Sequence, residues 1–271
     1  MGGQRGLRRL SSLVCASISV AAMATEGRAS PWSREDDQLF ISSRTDYFIA
    51  RSDAPIPPST VLPRFERVET HAYFEFGVTK RAMVGGKLIY GSSTYVDGFF
   101  ASAGSGFSEI EVFAQRQIFR SERHALGVSL TAGAPIPLET GVRPGLHSDG
   151  ADLEARVLYG RDFFAKPFKV YATAEAGYRR RFGDAADQIR ADVLLGIEPV
   201  KNLLLLTQVF STVSLRNEDL EGADYDVVKV QPSLVWSFSR RWSLQAGVTH
   251  EAAGRNLLRG DAFFVGFWTV F

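Results

Sequence analysis

The sequence predicts an all-β protein: a transmembrane, antiparallel, up-and-down β-barrel of about twelve strands. Three observations lead there. Segments of about ten residues, apolar at alternate positions and separated by turn residues, recur along the chain, as membrane strands require. The links between them alternate between short and long, which distinguishes the two ends of a barrel. The chain also ends on a strand-like stretch, Asp261 to Phe271, in which Phe263, Val265, Phe267 and Phe271 share one face with Thr269. In water such a stripe would promote aggregation, so a bilayer or a core must cover it.

The chain opens with Arg5, Arg8 and Arg9, then the apolar run Leu10 to Met23, then the small-residue pattern Ala22-Met23-Ala24. These are the parts of a secretory signal peptide, which predicts removal of residues 1–24, with Ala29 as the alternative cleavage position. Residues 25–36 are expected to form a short periplasmic N-terminal segment and 37–271 the transmembrane barrel. The single cysteine, Cys15, lies in the signal, and Val14 before it does not suit lipid attachment. The exported chain is therefore expected to hold no disulfide, no Cys-based metal site and no cofactor. Its stability must come from a large core or from a closed sheet in lipid.

The twelve predicted strands run approximately 37–49, 68–78, 82–92, 108–118, 124–134, 151–161, 168–180, 188–198, 203–214, 226–238, 242–250 and 261–271. Alternation justifies them. In the sixth, Leu153, Ala155, Val157 and Tyr159 oppose Asp152, Glu154 and Arg156. The seventh sets Val170, Ala172, Ala174, Ala176 and Tyr178 against Lys169, Tyr171, Thr173, Glu175, Gly177 and Arg179. In the eighth, Ile189, Ala191, Val193, Leu195 and Ile197 oppose Arg190 and Asp192, and in the tenth Val228, Val230, Leu234 and Trp236 oppose Lys229, Gln231 and Ser233. The ninth begins Leu203-Leu204-Leu205-Leu206 and is apolar on both faces.

With a periplasmic N-terminus, the outer links are the stretches near 50–67, 93–107, 135–150, 181–187, 215–225 and 251–260, mostly long and rich in Gly, Pro, Ser and Asp. The inner links, such as Thr79-Lys80-Arg81 and Pro199-Val200-Lys201-Asn202, are mostly shorter. An even strand count returns both termini to one side. Tyr47, Tyr90 and Tyr178 fall at predicted outer strand ends, and Tyr159, Trp236, Phe238 and Trp242 at inner ends, where interfacial girdles belong.

Composition agrees. Net charge is +1, mean hydropathy is −0.05, and 20 phenylalanines enrich the chain in aromatics. The near-neutral charge argues against a nucleic-acid partner. After the signal no window reaches the roughly 18 consecutive apolar residues of a spanning helix. If the apolar faces meet lipid, the opposite faces line a lumen. They carry Arg44, His71, Glu75, Lys87, Glu109, Glu111, Asp152, Glu154, Arg156, Lys169, Glu175, Arg179, Arg190, Asp192 and Lys229. A charge turned toward the acyl chains would cost about 2–4 kcal/mol at the midplane. Such a set either pairs into a network that packs the barrel shut or lines a water-filled, solute-selecting pore.

Catalysis is not expected. Hydrolysis needs a nucleophile or activated water beside a base held by a third group. His71, His124, His147 and His250 are the candidate bases, but His250 and its neighbours Thr249 and Glu251 must face opposite sides of a strand. Arg179-Arg180-Arg181 reads as a solvated strand end or a contact to lipopolysaccharide phosphates. Gly85-Gly86 reads as a strand kink and Gly104-Ser105-Gly106 as a loop tip.

The terminal stretch resembles the C-terminal strand of bacterial outer-membrane barrels, which implies recognition by the barrel-assembly machinery through Phe263, Val265, Phe267 and Phe271. The hairpin Tyr73-Phe74-Glu75-Phe76-Gly77-Val78-Thr79-Lys80-Arg81, with Pro31-Trp32 and Phe107-Ser108-Glu109-Ile110-Glu111, is similar to XagA-like outer-membrane proteins and MetA-type barrels found near aromatic-degradation genes. The resemblance implies a bacterial outer-membrane location, contact with membrane lipid and lipopolysaccharide, and passage of a small solute or polysaccharide as a porin-like channel or exopolysaccharide export component.

Overall fold

The computed structural model describes residues 30–51, 64–96, 101–136, 150–163, 168–183, 185–216, 224–257 and 259–271. Every regular element among them is a strand: β1 (Leu39–Arg51), β2 (Arg64–Thr79), β3 (Ala82–Val96), β4 (Ala101–Arg120), β5 (His124–Pro135), β6 (Asp152–Asp162), β7 (Lys169–Arg181), β8 (Gln188–Val200), β9 (Leu203–Ser214), β10 (Asp226–Ser237), β11 (Trp242–Arg255) and β12 (Gly260–Val270). Each pairs antiparallel with its sequence neighbour, and β12 closes on β1 from Phe40↔Val270 to Ala50↔Gly260. The predicted twelve-stranded barrel is therefore the fold observed. The residues read as a signal peptide, and much of the links expected near 50–67 and 135–150, lie outside the described residues.

Closure follows from backbone chemistry. In hydrocarbon an N–H or C=O without a partner costs several kcal/mol, so a sheet must lose both edges. Here the last residue completes the seam, since Phe271 N–H donates to Leu39 C=O at 2.8 Å and Leu39 N–H to Phe271 C=O at 3.2 Å.

The period-two alternation divides the faces. Val157, Val193, Leu195, Val209, Phe263 and Val265 stand exposed on the outer surface, while their neighbours along the strands are buried inside. Tyr47, Tyr90 and Tyr178 ring the outer surface toward the long-loop end. Tyr159, Trp236 and Phe238 do so toward the short turns.

Two expectations about boundaries fail. The outer link placed near 93–107 is largely strand: β3 and β4 stay paired to Val96↔Ala101, and Gly104, Ser105 and Gly106 oppose Ser93, Ser92 and Gly91. The stretch supposed to be a loop tip is thus part of a ladder. Likewise β11 runs on to Arg255 and leaves a short link before β12. Mostly small and polar side chains there carry no alternating apolar signal, because above the lipid level the ladder needs backbone bonds but no apolar outer face. A bulge sets Ser108 as an extra residue between Phe107 and Glu109, so that Ser108 is buried and Glu109 and Glu111 share the inner face.

Residues 30–38 do not hang free of the barrel. A turn at Asp36 and Asp37, with Asp37 at φ 60°, folds the chain back into the mouth at the short-turn end. Asp37 N–H donates to Gly77 C=O and Gly77 N–H to Gln38 C=O, each at 3.0 Å.

Two outcomes are expected. Val193→Arg places a charge on the lipid face and should cost about 2–4 kcal/mol by equilibrium urea unfolding in lipid vesicles. Deleting Phe271 removes the seam bonds and an exposed aromatic. It should lower the heat-modifiable, assembled fraction in the outer membrane without blocking export across the inner membrane. Normal assembly would remove the role expected of the terminal stripe.

Candidate functional site

The interior is layered. Near the short-turn end, inward side chains from ten of the twelve strands form one contiguous apolar layer that includes Phe40, Tyr73, Phe113, Leu158, Tyr171 and Trp268. Leu204 and Leu206 belong to it while Leu205 faces outward, which explains why β9 begins apolar on both faces. The layer is possible because Gly85 leaves room for the Phe113 ring, where a Cβ would collide.

The N-terminal strap caps this layer. Pro31 is fully buried and Trp32 packs on the apolar layer, edge-on to Tyr171 with ring centroids 6.4 Å apart. A Cβ at Gly160 would collide with both rings, so β6 yields space to the strap. Gln115 donates to the Ser30 carbonyl at 2.6 Å and Gln117 to the Pro31 carbonyl at 2.9 Å. Arg34 lies over the Phe40 ring at 4.4 Å and pairs with Glu75, which also accepts from the Tyr73 hydroxyl at 2.6 Å.

Toward the long-loop end the wall becomes polar. On the side of β3 to β8, Arg156 reaches Glu154, Glu175 at 3.3 Å and Asp192 at 2.5 Å, while Arg190 holds the other oxygen of Glu154 at 3.0 Å. Arg179 joins Asp152 and, at 3.4 Å, Glu109. Lys87 and Glu111 pair at 2.8 Å. On the side of β1, β2 and β9 to β11, Arg44 pairs with Asp46, donates to Gln231 at 3.0 Å and stacks over Phe264 at 3.7 Å. Gln231 donates to Gln208 and accepts from Thr249, both at 2.9 Å. Lys229 lies 3.5 Å from Glu251, and His71 3.7 Å from both Asp46 and Glu69.

Thirteen of the fifteen inner-face residues singled out in the sequence thus gather into ion-paired groups inside the barrel, and His71 lies among them beside Asp46 and Glu69. Lys169 does not join them. It stands at the short-turn rim, 64% exposed, paired with Glu198 at 3.0 Å. Sequence reasoning missed the apolar layer and the strap. Phe40, Tyr73 and Trp268 did carry a signal, since they sit on the same faces as the lumenal charges, but a large apolar residue inside a polar lumen looks like noise in an alternating pattern.

The described histidines stand in separate places. Thr249 and Glu251 are buried inside, while His250 faces outward and meets Asp261 at 2.7 Å. His124 meets the Tyr159 hydroxyl at 2.7 Å near the short turns, and His147 lies outside the described residues.

No protein-family model and no curated protein matches the sequence. Solved structures do match in fold. An outer-membrane channel from Pseudomonas putida F1 superposes with a TM-score of 0.67 at 12% identity, over 92% of this chain and 100% of that one. The NanC porin gives 0.52 at 9%, over 84% and 98%. The KdgM porin, solved in complex with disordered oligogalacturonate, gives 0.51 at 8%, over 86% and 99%. The chain has the fold of bacterial outer-membrane barrels.

Truncating Arg156 to Met should cost about 3–5 kcal/mol in the same unfolding assay, because Glu154, Glu175 and Asp192 stay buried around a missing cation. Lys169→Met, at the exposed rim, should change stability by about 0.5 kcal/mol or less.

Proposed function

We propose that the protein is a channel of the bacterial outer membrane, held closed in this structure by its own N-terminal strap and opened for passage of a small solute or a polysaccharide strand. One observation carries this reading. The periplasmic mouth is stoppered by a stretch of chain outside the barrel ladder, and a barrel built only for stability could close its mouth with wall side chains alone. Withdrawing Ser30 to Arg34 would free Gln115, Gln117 and Glu75 at the mouth and take from Tyr171 and Phe40 the Trp32 and Arg34 groups packed on them.

The wall beyond the stopper supports a polar cargo. It presents amides at Gln208, Gln231 and Gln245, and carboxylates and guanidinium groups of both signs, which can exchange their mutual hydrogen bonds for those of a hydroxyl-rich or charged solute. The resemblance to XagA-like and MetA-type barrels, and the porin neighbours, favour transport over catalysis. A second reading, a closed barrel that acts through its outer surface without transport, is favoured by the close pairing of the interior charges.

Planar-bilayer recording separates the two. Protein lacking residues 30–34, and the Gly160→Leu variant that displaces Trp32 and Pro31, should show higher conductance or open probability than the parent. Silence from both variants, once they are shown to be folded, would reject the channel and leave the closed barrel.

A further inference from the structure

The two rims of the barrel treat charge differently. Among the described residues of the long-loop end, four exposed basic groups lie beside carboxylates: Arg180 beside Asp187 at 2.8 Å, Arg216 beside Asp224 at 3.3 Å, Arg255 beside Asp226 at 2.7 Å, and Arg64 beside Glu66. At the short-turn end, every one of the five turns carries an exposed base in it or at its edge. Lys80, Arg120, Arg161, Lys201 and Arg240 mark them in order, and all but the fourth turn carry a second. Among the described residues Lys80, Arg120, Lys201 and Arg240 form no ion pair. The exposed carboxylates at this end are few: Glu35, Asp36 and Asp37 on the strap, and Glu122 in the second turn.

We propose that this rim is a collar that binds anionic phospholipid headgroups in the periplasmic leaflet of the membrane. Depth is the first argument. The bases adjoin outward aromatics that mark the edge of the hydrocarbon: Phe119 is 54% exposed beside Arg120, Phe238 is 47% exposed two residues before Arg240, and the Arg161 guanidinium lies 5.1 Å from the centre of the Phe163 ring. A guanidinium or ammonium just beyond such a ring lies at the level of lipid phosphates, where it attracts negative headgroups. Distribution is the second. The bases surround the barrel on all five turns, as a lipid annulus does, whereas a docked protein would meet one sector. The inference requires the barrel to lie in a membrane and is independent of whether it conducts.

Brominated lipids provide the test, because Trp236 and Trp242 lie on the outer surface next to the collar while Trp32 and Trp268 pack inside. The full barrel is refolded into phosphatidylcholine vesicles containing either brominated phosphatidylglycerol or brominated phosphatidylcholine, and tryptophan quenching is measured. The parent should bind the anionic lipid about fivefold better at low salt, a preference lost when salt shortens the screening length. The combined variant Lys80→Gln, Arg120→Gln, Lys201→Gln and Arg240→Gln, confirmed as folded by heat-modifiable mobility, keeps the second bases of the other turns and should lose about half or more of the preference. The control Arg180→Gln with Arg216→Gln should keep the parent's preference. Equal quenching of the parent by the two lipids, or a preference left unchanged by the fourfold substitution, would overturn the collar.

Discussion

The pairing of β1 with β12 is the constraint on which everything else depends. Without it two strand edges would face lipid with unsatisfied N–H and C=O groups, and no arrangement of side chains could compensate. Once the seam is closed, each strand has one face toward the acyl chains and one toward the interior. The outer face must be apolar, and the inner face becomes the place where charge can reside. Arg44 illustrates the consequence. It sits at a position paired with Gly266 on one side and His71 on the other, within the seam itself, and its guanidinium is accommodated because Asp46, Gln231 and the Phe264 ring lie inside with it.

Two chemistries line the interior. Ion pairs line most of the outer part, where each group is worth keeping only with its partners, since a lone buried charge costs more than the pair returns. Apolar side chains line the inner part, where Phe40, Tyr73 and Trp268 pack edge to face, with centroids 6.1 to 6.3 Å apart. Glu75 and Arg34 lie beside Tyr73 and Phe40 on the side of the short turns, so the strap is anchored at the mouth face of the apolar layer.

Much of this was legible in the sequence. All twelve strands and their order along the chain followed from alternation, because in lipid the outer face admits few exceptions. Strand ends were less legible. Ser92 to Val96 and Ala101 to Gly106 are mostly small and polar and carry no alternating apolar stripe, although Tyr95 there packs against the small cluster of Phe48, Ala50, Phe65 and Ala262. Inward orientation of the charged residues could be read from cost alone, whereas their pairing could not: Arg156 and Asp192 are 36 residues apart, and their meeting depends on the register of two hairpins. The strap was illegible for a related reason. Pro31 and Trp32 carry no period, and their burial depends on Gly160, a residue whose role is to leave space.

The difference between wall and strap bears on how such a molecule could move. Each wall strand is held on both sides by a continuous ladder, so separating any pair exposes a row of polar groups to hydrocarbon. The strap joins the barrel backbone through two hydrogen bonds at Gly77, and beyond them it is held by side chains: two glutamines, one ion pair and two rings. The polar partners among them can be replaced by water at the short-turn mouth, at the cost of exposing Pro31 and Trp32, whereas the backbone partners of a wall strand in lipid cannot. The low-cost motion of this architecture is therefore withdrawal of the strap with the barrel intact. A gate placed at the aqueous end of a lipid-embedded barrel can open without violating the constraint that closed the sheet.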